Sequence, residues 1–170
     1  MERAGTGRPK RGISRAGIAL IAALSAIATL WGSHAAWAQK EIFATNFSPD
    51  GSVPDTVTVY HRTADGKRNV PIRTLSGTST GLIFPAGVAL DPVNNHMWVA
   101  NLGGPSIAVY NRYATGDTPP LRTIRGLNTN LAFPAGLALD LVNNEVLVTN
   151  TSSVTAYRRA VTGPEDEPPR

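Results

Sequence analysis

Cysteine is absent from all 170 residues, so no disulfide and no thiolate metal site can hold this chain together, and packing or assembly must do so. Histidine is nearly absent as well. After residue 38 only His61 and His96 occur, with no H-E-x-x-H pair and no clustered carboxylates, which leaves a metal centre without support. No stretch after residue 40 carries a 3.6-residue apolar period, so amphipathic helices are not expected there. An excess of one charge is missing too, once the chain is divided. The formal +4 lies in residues 1–38, which hold five basic side chains and one acidic, while residues 39–170 hold 11 of each. A basic face for nucleic acid is therefore not expected.

The charged start ends at Arg15 and is followed by an apolar run, AGIALIAALSAIATLW, over residues 16–31. Ala36 and Ala38 then make a small-x-small pattern before Gln39. This is the layout of a signal peptide cleaved after Ala38. About 16 apolar residues fall short of the roughly 20 that a spanning helix needs, although an uncleaved anchor is the alternative. No twin arginine precedes the run, which points to the general secretory route and an extracytoplasmic, periplasmic or secreted destination without membrane attachment after cleavage.

What the rest of the chain does have is a repeat. Residues 71–101 align with residues 120–150 at a spacing of 49, with 18 of the 31 positions identical. The shared core is L-x-F-P-A-G-x-A-L-D-x-V-N-N, and a third partial copy follows from the flanks. Asn46, Asn101 and Asn150 end FATN, WVAN and LVTN, while Tyr60, Tyr110 and Tyr157 sit in VTVYHR, IAVYNR and VTAYRR. Within a copy, short runs rich in Val, Ile, Tyr, Trp and Thr alternate with Gly, Pro, Asn and Asp, the signature of strands and turns. The complete copy reads as strands over residues 87–91, 96–101, 106–111 and 121–125. Residues 39–170 are therefore expected to be all-β.

Four strands per unit of 47 to 50 residues is the arithmetic of a β-propeller blade, whose sheet hides both faces only when neighbours stack on it. Runs such as Val88-Ala89-Leu90 and Met97-Trp98-Val99-Ala100 fit sheets covered on both sides. A blade over 41–76 would supply strands B-C-D, one over 82–126 all four, and one over 131–160 strands A-B-C, with residues 161–170 as a tail. That makes about two and a half blades. The tail aligns with residues 116–122, where the next outer strand begins. Such a stack is either a truncated propeller or one that assembles with copies of itself or other partners. Two copies end to end would set A-B-C before B-C-D, a poor match to a regular ring, which favours truncation.

The order P-x-G-[VL]-A-L-D, then a turn, then [MV]-[WL]-V-[AT]-N, then [IV]-[AT]-[VA]-Y resembles NHL-type repeats and the bacterial six-bladed propellers that include the gluconolactonase and streptogramin-lyase groups. The resemblance covers about residues 41–170 and departs at Asn101 and Asn150, where NHL repeats commonly have Asp. It implies a propeller scaffold. For the lactonases and lyases it also implies Glu, Asp, Asn or His converging from several blades on a channel cation, and too few blades are present here to carry those residues over.

Each candidate for chemistry has a structural reading beside it. Gly77-Thr78-Ser79-Thr80-Gly81 matches G-x-S-x-G, but a nucleophile elbow needs a strand before and a helix after. Leu82-Ile83-Phe84-Pro85 follows instead, and the segment reads as a flexible loop between blades. Asp91 and Asp140 each precede a V-N-N turn, where a carboxylate accepts backbone N–H bonds. Asn46, Asn101 and Asn150 read as satisfying backbone groups at strand ends. The pairs Tyr60/Arg62, Tyr110/Arg112 and Tyr157/Arg158 read as an exposed strand edge with Arg stems over Tyr rings. The sequons at Asn46 and Asn150 receive no role. No catalytic, cofactor-binding or metal-binding set is assigned. The function expected is that of a non-enzymatic module, recognising a protein or small ligand or serving as a scaffold, or a propeller that has lost function by truncation, the alternative being a metal-dependent lactonase or lyase.

Overall fold

The computed structural model describes residues 41–63 and 70–170; the expected signal peptide and its cleavage site lie outside the described residues. Ten strands form three antiparallel sheets, in the three, four, three division that the repeat predicts. The first sheet has the order β1 (Glu41–Asn46), β2 (Thr56–His61) and β3 (Arg73–Leu75). The second holds β4 (Pro85–Asp91), β5 (His96–Asn101), β6 (Ser106–Asn111) and β7 (Arg122–Arg125). The third holds β8 (Gly136–Asp140), β9 (Glu145–Thr149) and β10 (Val154–Arg158). No α-helix occurs among the described residues. The architecture is a partial β-propeller.

Registers repeat with the sequence. Gly87 faces Ala100 across β4 and β5, and Gly136 faces Thr149 across β8 and β9, so the two glycines hold equivalent backbone positions. The hairpin turns repeat as well. Asp91 Oδ1 accepts from the Val93 and Asn94 N–H groups at 3.0 and 3.1 Å, and Asp140 Oδ1 from those of Val142 and Asn143 at 2.9 Å each. The second Asn of each turn, Asn95 or Asn144, takes the left-handed conformation that Asn tolerates well. Strand bounds differ modestly from expectation. A register shift between Pro85 and Gly87 lets pairing begin at Pro85, and β3 and β7 start after Pro71 and Pro120, which lack a ladder donor.

The middle sheet is covered on both faces. Met97, Val99, Ala108 and Tyr110 pack with Val57 and Leu75 of the first sheet. Trp98, Ala100, Ile107 and Val109 pack with Val146, Val148 and Tyr157 of the third. Consecutive residues of β5 thus serve two cores, which explains its unbroken apolar run. Each large side chain fully buried in this way is worth about 1.5–3 kcal/mol. Residues 163–170 are docked rather than trailing. Glu165 O accepts from Arg125 N, Glu167 pairs with buried Arg122, and Arg170 N donates to Ala156 O, as Leu121 N does to Val109 O and Ile72 N to Val59 O.

Two expectations are corrected here. Two of the three tyrosine and arginine pairs do not form an exposed edge. Tyr110 and Tyr157 are fully buried, and their hydroxyls donate to Thr80 O at 2.6 Å and Thr129 O at 2.5 Å. Burial raises the pKa of both phenols. Arg112 is buried on Glu41, and its counterpart beyond Tyr157 is Arg159, not the exposed Arg158. The neighbouring sheet, invisible to a local reading, covers the tyrosines. The segment 77–81 is also pinned rather than flexible. Asp117 accepts from Ser79 N at 2.7 Å and from Ser79 Oγ at 3.1 Å, and Asp166 holds Asn128 in the same way in the next repeat.

Candidate functional site

Most residues with catalytic character are held in scaffold bonds. Asn101 Oδ1 accepts from Ile83 N at 3.1 Å while its amide donates to Gly81 O and Ser106 Oγ. Asn150 repeats this with Ala132 N at 3.0 Å and Thr155 Oγ1. Asn46 donates to Thr56 and Thr58 in the first sheet. The strand-end role expected for the three asparagines is what the structure gives them. Burial opposes ionisation of Asp91, yet Asn94 and Arg159 outweigh it and hold the carboxyl below its usual range; Asp140 is lowered chiefly by the Asn143 N–H. Ser79, clasped by Asp117, has no helix after it. His61 and His96 sit at strand ends in different sheets, and no metal-holding group of His, Asp and Glu occurs among the described residues.

The feature that scaffold chemistry does not absorb lies at the end of the sheets where those asparagines sit. Asn101 and Asn150 clamp the backbone just ahead of Phe84 and Phe133. Both phenylalanines take left-handed conformations, with φ of 48° and 53°. This region is a true outlier for a bulky side chain, and a following proline restricts the residue further. Holding one residue there costs about 1–3 kcal/mol, and such strain gathers at binding and switch sites.

Asp55 accepts from Phe84 N at 2.9 Å, and Phe84 O accepts from Leu102 N at 3.0 Å, so the strained residue is fixed from both sides. The Phe47 ring lies 5.6 Å from that of Phe84 at 38°. Phe133 is 61% exposed, and Phe47, Ile83 and Leu127 are exposed beside this row. Two open grooves flank it. One of about 370 Å³ is lined by Phe47, Val53 and Pro54, and the other, of about 350 Å³, by Ile83, Pro105 and Arg125. The sequence names Phe84 and Phe133 only as members of the shared motif. The signal was present in F-P at the same place in both copies.

No protein-family model and no curated protein matches the chain. Among solved structures, a chain of the structure titled "Crystal structure of Nidogen/Laminin Complex" is similar, with a TM-score of 0.53 and 16% identity. The alignment covers 73% of this chain and 41% of that one, so this chain spans less than half of its length. The likeness supports the propeller fold. At that identity it carries the fold alone.

Proposed function

We propose that this is an exported, NHL-like propeller module that recognises a protein partner without catalysis, through the aromatic rim formed by Phe47, Phe84 and Phe133. The observation that carries the reading is the pair of strained phenylalanines at equivalent places, one of them 61% exposed, since strain kept twice on an apolar surface favours a binding role over a packing one. The leader over residues 1–38 supports export. The engagement of Asp91, Asp140, Asn101 and Asn150 in scaffold bonds supports recognition over acid/base or metal chemistry.

A photo-crosslinking residue placed at position 133 should trap a discrete partner from the exported fraction, while the same probe at Tyr113, on the opposite end of the sheets, should not. Equal trapping at both positions, or none at 133, rejects the rim. The lactonase or lyase reading is tested by calorimetric titration with Ca²⁺, Mn²⁺ and Zn²⁺. Stoichiometric binding of any of them by the folded protein would favour that reading instead.

A further inference from the structure

The two boundaries between sheets obey one rule. Arg112, just past β6, reaches back to Glu41 at the start of β1 at 3.0 Å. Arg159, just past β10, reaches back to Asp91 at the end of β4 at 2.6 Å. Both arginines stand two residues after the repeating tyrosine, as does Arg62 after Tyr60. Each sheet thus sends an arginine to a carboxylate of the sheet before it. Arg62 has no preceding sheet in the described chain, is exposed, and makes no ion pair among the described residues.

The third sheet holds both kinds of receiving carboxylate. Asp140 is the equivalent of Asp91, and Glu145 of Glu41. Among the described residues Asp140 is engaged only by its own turn, and Glu145 meets the half-exposed Arg170 at 3.2 Å. The apolar faces correspond too. Leu147 and Val154, 36% and 65% exposed, occupy the positions at which Trp98 and Ile107 of the middle sheet are fully buried against the third. On the first sheet, Ile42 and Tyr60 occupy the positions at which Met97 and Tyr110 are buried against the first.

We infer that the free face of the third sheet docks on the free face of the first sheet of a second copy, with Arg62 of that copy on Asp140 and Glu145. On the strands that the sheets share, the residues named on the two open faces are equivalents of residues that already meet inside one copy; the first sheet lacks a counterpart of β4 and the third lacks one of β7. Three sheets among the described residues of each copy give six for a pair. Using the same contact twice closes a twofold ring, within the roughly four to eight blades with which propellers close. The inference goes beyond the recognition reading and does not depend on it.

The test is the mass of the full chain by native mass spectrometry over a dilution series. A species of twice the chain mass is expected. Arg62→Glu and Val154→Asp, both at exposed positions, should each weaken it on the order of tenfold or more, because like charges or a buried carboxylate replace complementary contacts. Leu127→Asp, at a 97% exposed position in the connection between the middle and third sheets, should leave it unchanged. Circular dichroism confirms that the variants fold, and Leu147→Asp substitutes for either that does not. A wild-type monomer, or a dimer that these face variants leave intact, overturns the inference.

Discussion

Phe133 sets the residue-scale question, because its backbone is strained while its ring is largely in water. Replacing it with glycine removes the steric penalty of a positive φ and gives up little burial. Phe133→Gly should therefore raise stability by about 0.5–1 kcal/mol, measured by urea unfolding, even though glycine also loosens the unfolded chain. The same variant should lose the partner trapped through the rim, the usual exchange where a binding surface is held in strain. A loss of more than about 1 kcal/mol would mean that the ring packs and that the strain serves the fold. Side-chain roles at this scale were legible where they are local. The bonds of Asp91 and Asp140 to the residues two and three further on follow from turn chemistry alone. The burial of Tyr110 and Tyr157 was not legible, because it depends on loops and sheets about 30 residues away.

At the scale of elements, β4 and β8 share the sequence Gly-x-Ala-Leu-Asp but differ in what lies against them. A Cβ on Gly87 would run into the backbone carbonyl of Ala135 in the next sheet, which cannot move without moving β8. A Cβ on Gly136 would meet the Thr149 side chain, its Oγ1 at 2.9 Å, and a side chain can turn away. Gly87→Ala should cost about 1–3 kcal/mol by overpacking, and Gly136→Ala clearly less, both read from urea midpoints. Equal costs would contradict the close approach of β4 to the third sheet. Strand number and register were readable because the repeat spacing and the alternation of Val, Leu and Asn with turn residues are written in the chain. The pinning of residues 77–81 was not, since Asp117 acts from 38 residues away and the local composition of GTSTG describes only mobility.

For the whole molecule, the ion pairs that cross sheet boundaries should decide how the stack responds to acid. Burial opposes ionisation of Glu41, but Arg73 and Arg112 more than compensate, and its carboxyl lies below the usual range, as that of Asp91 does under Asn94 and Arg159. A carboxyl lowered in the folded state contributes stability that is complete above its unfolded pKa, about 4, and is lost as pH falls through the lower folded value. The hydrogen-bonded ladders within each sheet carry no such term. Acid should therefore weaken the contacts between sheets first, lowering the urea midpoint between pH 5 and pH 3, taken as roughly the window around that unfolded value. Asp91→Asn leaves the half-buried Arg159 without its counter-charge and should cost about 3 kcal/mol at neutral pH, breaking one half of a largely buried pair. In the same variant the acid slope should flatten, because one of the two lowered carboxyls at the sheet boundaries, Glu41 and Asp91, is gone. An unchanged slope would place the acid-sensitive groups within the sheets, and the boundary arginines would then be packing stems rather than the charges that hold one blade to the next.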